Sequence, residues 1–341
     1  MSPRVVYALD LSYWKRRPLR LCFPDSELRF VSRLDQVPHG ATLAVWGMRA
    51  VPEAEERGIS VARLEDGFLR SVGLGADLIR PLSWVVDWRG LYFDSRQPSD
   101  LEVLLAETVF PDELLQRAAS LRERVVAEGL TKYNVGAMPW RRPAGASRVI
   151  LVTGQVESDA SIVYGAPEIK TNLGLLQAVR RAHPDAYLLY KPHPDVVAKL
   201  RAQGKGEVEA EYWCDSMVVD APMGELLREV DEVHCLTSLA GFEALLRGKK
   251  VVCYGQPFYS GWGLTEDKAP VVRRKRRLSL DELVAGALIL YPRYFNRRCD
   301  AQITPEEALS ELIAWRSRVG SKVPLWRQAS RAVLRRVIGV R

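Results

Sequence analysis

Residues 148–161 read Arg148-Val-Ile-Leu-Val-Thr-Gly-Gln-Val-Glu-Ser-Asp-Ala-Ser161, and residues 187–194 read Tyr187-Leu-Leu-Tyr-Lys-Pro-His-Pro194. Each begins as a short apolar run, Val149–Val152 and Tyr187–Tyr190, as expected of a strand buried on both faces. Each ends in groups able to do chemistry: Gln155, Glu157 and Asp159 after the first, Lys191 and His193 after the second. The helical pattern over 171–182 makes the unit strand–helix–strand. In open α/β sheets ligands bind beyond the carboxyl ends of the strands, which is where both clusters fall.

Outward from this unit the alternation continues, with strands expected at 217–219, 232–236 and 249–254 and helices at 222–229 and 238–247. Before it, strands are expected at Val5–Leu9, Leu19–Cys22, Leu43–Trp46, Val61–Leu64 and Trp84–Val86, then a helix at Asp112–Gly129. The stretch Trp140–Ser147, rich in turn formers and without pattern, reads as a linker. Three helices close the chain, at about 279–290, 304–318 and 325–338. Two alternating runs joined by a linker imply an α/β protein with two facing Rossmann-like domains, parallel sheets and a cleft between them. The boundaries are 1–145, 146–285 and, for the closing helices, 286–341.

The bulk numbers agree with a folded two-domain protein. The 341 residues are 47% hydrophobic and 27% charged, with a formal net charge of +7. This basic balance suits an anionic substrate, a polyanion or an acidic membrane surface. The five cysteines, Cys22, Cys214, Cys235, Cys253 and Cys299, are scattered without a CxxC and read as buried thiols of a reducing cytosol. The N-terminal residues are too polar for a signal peptide, and no stretch reaches the roughly 18 apolar residues of a spanning helix. The chain is therefore read as cytoplasmic.

His193-Pro194 follows a buried strand and is stiffened by Pro192 and Pro194. An imidazole held there beside Lys191 can donate to a phosphate oxygen, and a satisfied loop histidine is the plain alternative. His183-Pro184 reads only as a helix end. Ser238 sits where a helix begins, so its hydroxyl and the helix N–H groups make an anion site, and Glu243 in the next turns can accept from ribose hydroxyls. Asp159 is a candidate nucleophile, base or metal ligand. Glu65 and Asp66 again follow a strand, with Arg70 and Arg80 as candidate clamps for a carboxylate. Gly73-x-Gly75 lacks the third glycine of the dinucleotide fingerprint, so a nicotinamide cofactor is not supported.

Three segments keep two readings each. Gly255–Gly263, with three glycines and three aromatics, is a ligand-lining lid or packing between domains. Arg273–Arg277, five consecutive cations, is a binding patch or a solvated loop. The last helix carries Arg327, Arg331 and Arg335 on one face and Trp326 with valines on another, which is either an interfacial membrane contact or a clasp across the domains. Nucleic-acid binding has charge in its favour but no module.

These segments resemble the capsule-biosynthesis transferases of the KpsC type, which are retaining β-Kdo glycosyltransferases. The resemblance is carried by LEDGFLRSVGL (64–74), GQVESDAS (154–161), YKPHPD (190–195), TSLAGFEALLRG (237–248) and GQPFYSGWGLT (255–265). Typical members hold two such modules in tandem, and this chain holds one, more like the second through Val233–Ser238 and Leu283–Tyr294. The resemblance implies a GT-B fold whose 1–145 half faces the acceptor and whose 146–285 half binds the CMP-sugar. It implies CMP-Kdo as donor, a Kdo oligosaccharide on a lyso-phosphatidylglycerol-type lipid as acceptor, and contact with the inner membrane and the capsule machinery. Lys191, His193, Pro194, Ser238 and Glu243 would hold CMP. Asp159 would attack the anomeric carbon, Glu65 or Asp66 would deprotonate the acceptor, and Gln155, Arg70 or Lys170 would meet the Kdo carboxylate. No cofactor and no metal are expected, since a histidine, a hydroxyl and a helix N-terminus can neutralise a single phosphate. The likeness to the second module favours a β-(2→7) over a β-(2→4) linkage. A sialyltransferase-like CMP-sugar enzyme and a non-catalytic glycan-binding export component are the competing readings.

Overall fold

The computed structural model describes residues 4–72, 80–132, 136, 138–198 and 200–319. Gly73-x-Gly75 and the helix expected at 325–338 lie outside the described residues. The first part of the chain contains β1 (Arg4–Leu9), α1 (Arg16–Cys22), β2 (Ser26–Val31), β3 (Thr42–Trp46), β4 (Ser60–Asp66), β5 (Ser83–Asp87), α2 (Asp100–Glu107) and α3 (Asp112–Ala127). There follow β6 (Val149–Thr153), α4 (Ala160–Gly165), α5 (Asn172–Ala182), β7 (Tyr187–Lys191), α6 (Pro194–Val197), β8 (Ser216–Met217) and α7 (Met223–Glu229). The remainder is β9 (Glu232–Cys235), α8 (Leu239–Leu246), β10 (Lys250–Cys253), β11 (Glu266–Asp267), α9 (Leu280–Val284), β12 (Pro292–Phe295), β13 (Gln302–Ile303) and α10 (Pro305–Val319). A π-helical stretch, Ala285–Leu290, continues α9.

The second sheet has six strands in the order β11-β10-β9-β6-β7-β8, all pairs parallel. Its central strand β6 is Val-Ile-Leu-Val-Thr, every residue buried. Alternate residues serve opposite faces, as the two-residue period of a strand requires. Val149 and Leu151 join one core cluster, Ile150 and Val152 the other. The register sets Thr153 against Lys191 and Val152 against His234, so β6, β7 and β9 end at one level.

The first sheet has seven strands in the order β13-β12-β5-β4-β3-β1-β2. It is parallel from β2 to β4 and antiparallel from β4 through β5 and β12 to β13. The architecture is mixed α/β with Rossmann-like sheets, and the expectation of two wholly parallel sheets is corrected here. β12 and β13 come from the segment read as helices only, so 286–341 returns a strand pair to the first sheet before α10.

Two local readings also change. Leu19–Cys22 is the end of α1, not a strand: Pro18, Leu19 and Cys22 are buried at helical spacing, and Pro18 falls in the first turn, where its missing N–H costs nothing. The strand Ser26–Val31 is absent from the expectations because it lies at the sheet edge and alternates polar with apolar residues, which lowers its hydrophobic signal. All five cysteines are free thiols, four of them buried. Among the described residues no helix is long and apolar enough to cross a membrane.

The basic run is not a solvated loop. Arg273 and Arg274 both bond the Glu102 carboxylate on α2, with Arg274 Nε at 3.0 Å, and Arg274 also donates to the carbonyls of Pro257 and Ser260. Arg276 donates to the Thr108 carbonyl and to Glu282, both at 2.6 Å. Gly255–Gly263 is likewise packing: Phe258, Tyr259 and Trp262 are buried, and Phe258 stacks on Phe68 at 4.5 Å between ring centres. Phe68 also meets Tyr92 and Phe242, so an aromatic hub joins the loop after β4 to α8. These contacts fix the two sheets' edges relative to each other.

Candidate functional site

At the carboxyl edge of the second sheet the chain must leave β6 tightly. Gly154 donates to the Lys191 carbonyl at 2.8 Å, and a Cβ there would lie 2.5 Å from the Tyr190 hydroxyl, so only glycine fits. Gln155 then spans to the turn between β9 and α8: its Nε2 donates to Thr237 Oγ1 at 3.0 Å and its Oε1 accepts the Thr237 N–H at 2.9 Å. Asn172 pairs reciprocally with the Gln155 backbone. Glu157 accepts from the Asn172 and Lys205 N–H groups, both at 2.8 Å. Gln155 and Glu157 thus brace the loop that carries Asp159.

Asp159 is exposed and is the N-cap of α4, with Oδ1 accepting the Ser161 N–H at 2.9 Å. His193 caps α6, its Nδ1 accepting the Asp195 N–H at 3.2 Å, and Pro194 occupies the first helical position. With Nδ1 an acceptor, the neutral ring carries its proton on Nε2. Burial pulls His193 down to about 4, with Lys132, Arg201 and Lys191 adding and Asp159 opposing. Ser238 caps α8, its Oγ accepting the Ala240 N–H at 3.2 Å. The Tyr259 hydroxyl donates to the Ser238 carbonyl at 2.5 Å and so ties this cap to the aromatic hub. Lys191 is buried and donates to the Ala221 carbonyl at 2.8 Å; burial lowers it to about 8, with Asp220 opposing.

Across from this edge lie Glu65 and Asp66, the last residues of β4. Asp66 Oδ2 accepts from Arg70 Nε at 2.6 Å, and Arg70 also donates to Ser71 Oγ. Burial pushes the Glu65 carboxyl up to about 7, with the Asp66 charge adding and the Asp66 N–H, Lys132 and Lys15 opposing. Glu243 is buried on α8, where Oε1 accepts the Lys132 N–H at 2.6 Å. Burial raises it to about 7 as well, against Lys132 and Arg247.

Lys132 is the residue that sequence reasoning missed. Its charge is felt by Glu65 on the first sheet and by Glu243 and His193 on the second. It sits after α3, in a stretch with no periodicity or motif to mark it. Thr237, the partner of Gln155, was quoted within a motif without a role. The structure thus brings Asp159, Lys191, His193, Pro194, Ser238 and Glu243 to one edge and sets Glu65 and Asp66 opposite. The three candidates for a carboxylate ligand are placed differently: Gln155 is engaged with Thr237, Arg70 with Asp66, and Lys170 is exposed just before α5. Arg80 is exposed and outside this constellation. His183 is the C-cap of α5.

A sequence profile described as "Capsule polysaccharide biosynthesis protein" matches residues 43–294. The chain is 44% identical over 318 residues to the capsule polysaccharide modification protein LipA of Neisseria meningitidis serogroup A, covering 90% of this chain and 45% of LipA. It is 43% identical to the lipopolysaccharide-processing protein LpsZ of Rhizobium meliloti, covering 74% of that protein. The chain thus spans about half the length of the LipA relatives. Among solved structures it matches the β-Kdo 2,7 transferase of Thermosulfurimonas dismutans KpsC at 40% identity and a TM-score of 0.76, covering 91% of this chain and 99% of that one. The β-Kdo 2,4 transferase of the same KpsC matches at 31% identity and a TM-score of 0.80, covering 92% and 99%.

Proposed function

Since the chain belongs to the capsule polysaccharide biosynthesis protein family, we propose that it is a Kdo glycosyltransferase of GT-B architecture. It would transfer Kdo from CMP-Kdo to a Kdo-bearing glycolipid with retention of configuration, acting in the cytoplasm. The observation that carries this reading is the opposition of the two edges. Helix caps, Lys191 and His193 line one edge, Glu65 with its pKa raised to about 7 stands at the other, and the Lys132 charge acts on both.

The steps follow from those positions. Asp159 uses one oxygen on the α4 cap and presents the carboxylate to the anomeric carbon. As its C–O bond forms, the bond from that carbon to the CMP phosphate oxygen breaks, and CMP leaves with the electron pair. The His193 Nε2–H, the Ser238 hydroxyl and the N-terminus of α8 stabilise the charge that grows on that oxygen. In the second displacement an acceptor hydroxyl attacks the same carbon and releases Asp159, its proton passing to a carboxylate of the first sheet. Glu65 suits this role better than Asp66, because a base works best with a pKa near the operating pH and Asp66 is held by Arg70. Glu243 accepts the Lys132 N–H and would accept from a ribose hydroxyl of the donor. No step calls for a metal or a cofactor.

For the linkage, identity favours the 2,7 transferase and overall superposition the 2,4 transferase. Local sequence dictates side-chain contacts to the acceptor more directly than backbone overlap does, so β-(2→7) is the linkage proposed. The test is incubation of the purified chain with CMP-Kdo and a Kdo-terminated acceptor, followed by NMR of the product. A new β-Kdo residue is expected; CMP released without any glycan product, or no CMP released at all, contradicts the reading.

A further inference from the structure

The carboxyl edge of the first sheet holds a second cluster that the steps above leave unused. β1 is followed by Asp10, which adopts a left-handed conformation with φ of 50°. Aspartate tolerates that region better than most residues, and such strain concentrates where chain direction matters. The turn carries Tyr13–Lys15 over the end of β3, and the loops after β1 and β3 are pinned by an Asp10–Arg49 ion pair of 2.6 Å.

The result is a compact basic and aromatic cup. The Lys15 ammonium lies 3.2 Å from the centre of the Trp46 ring and 5.2 Å from that of Trp14. Trp46 is itself fixed edge-on against Trp84, at 5.0 Å between ring centres. Tyr13 at the rim is 84% exposed, although a large apolar ring gains nothing from water there. Gly47, next in the chain after Trp46, has no side chain to fill the space beside Glu65; a Cβ there would stand 3.6 Å from Glu65 Oε2.

Position decides what this cup is for. Glu65 feels two lysines, Lys132 and Lys15, and only Lys132 is shared with His193 and Glu243. Glu65 is therefore within reach of both groups, Lys132 shared with the second sheet and Lys15 with its tryptophans. Gly47 follows Trp46 and borders Glu65, so a group whose hydroxyl reaches Glu65 has this cup beside it. An ammonium held against indole faces and partly stripped of water retains a strong preference for a carboxylate, while indole rings receive the C–H face of a pyranose.

Resting on the transferase reading, we propose that Lys15, Trp14 and Trp46 form an acceptor subsite that binds a carboxylate-bearing sugar residue of the growing glycan. Lys15, seated on Trp46, takes the carboxylate, and Trp14 takes the ring. The subsite selects acidic acceptors and sets the attacking hydroxyl beside Glu65.

The test compares two synthetic acceptors, one ending in Kdo and one ending in the methyl ester of the same sugar, with CMP-Kdo as donor. Lys15→Met is expected to raise KM for the acidic acceptor about tenfold or more while shifting KM for the ester and for CMP-Kdo less than threefold, and Lys15→Arg is expected to restore most of the loss. Trp14→Leu is expected to raise KM for both acceptors alike. Thermal unfolding of each variant confirms that it is folded. An unchanged acidic-acceptor KM in folded Lys15→Met, with the change confined to the pH profile of kcat, overturns the subsite and reduces Lys15 to a neighbour of Glu65. Failure of the wild-type chain to release CMP from CMP-Kdo contradicts instead the transferase reading on which the subsite rests.

Discussion

At the carboxyl edge of the second sheet, three side chains with proposed roles, Asp159, His193 and Ser238, are each the N-cap of a helix and each accept a backbone N–H. At the edge of the first sheet, Glu65 and Asp66 are the last residues of a strand; burial and two lysines act on Glu65, and Arg70 pairs with Asp66. The first arrangement fixes geometry through local backbone; the second sets charge through distant neighbours. Anion binding needs the former, and a base that must gain and lose a proton needs the latter.

The largest effect should come from the nucleophile. Asp159→Ala is expected to lower kcat by about a thousandfold or more, with CMP affinity, read by calorimetry, within about threefold of wild type. Loss of CMP binding in step with kcat would make Asp159 a support for the anion site. Next, His193→Ala removes both a donor to the leaving phosphate and the α6 cap. A fall of about a hundredfold in kcat/KM, together with weaker CMP binding, is expected. An effect on stability alone would leave the cap as its role.

The opposite edge is broken through pH. With Glu65 raised to about 7, the base is protonated below that value. Transfer should fall about tenfold per pH unit below 7, and Glu65→Gln should flatten this limb while lowering the plateau. A limb that persists in Glu65→Gln would take the base role away from Glu65.

The clasp between the two parts of the chain can be opened directly. Arg274→Met leaves the Glu102 carboxylate buried with one cation fewer, and a loss on the order of 3 kcal/mol in unfolding free energy by denaturant titration is expected. A smaller effect concerns acid stability. His234 is fully buried beside Glu232, and burial lowers it to about 4, below its unfolded value near 6.5. The unfolded chain therefore binds more protons than the native one between these values. Stability is fully present above about 6.5 and is lost as pH falls toward 4. His234→Leu should shrink that pH dependence of the unfolding midpoint.

The same contrast explains what the sequence disclosed. The second sheet was legible almost element by element, because fully buried parallel strands are continuous apolar runs and caps are local signals. Lys191, His193 and Ser238 could be placed from their neighbours in the chain. The first sheet was less legible: β2 is a polar edge strand, α1 imitates a short strand, and β12 arrives about 200 residues after its partner β5 and brings β13 with it. Lys132, the Glu102 clasp and the cup around Lys15 depend on pairs far apart in sequence, for which no local pattern exists. The basic run at 273–277 shows the cost: read locally it is a binding patch or a solvated loop, whereas Glu102 on α2 makes it an internal tie.

The central claim is that Asp159 carries the sugar between donor and acceptor. Intact-protein and peptide mass spectrometry of the Glu65→Gln variant incubated with CMP-Kdo tests it most directly, since slowing the second displacement should let the intermediate accumulate. A Kdo-sized adduct on the peptide containing Asp159, absent in Glu65→Gln/Asp159→Ala, is the predicted result. CMP release and glycan transfer with no adduct at Asp159, or an adduct on another residue, would contradict it.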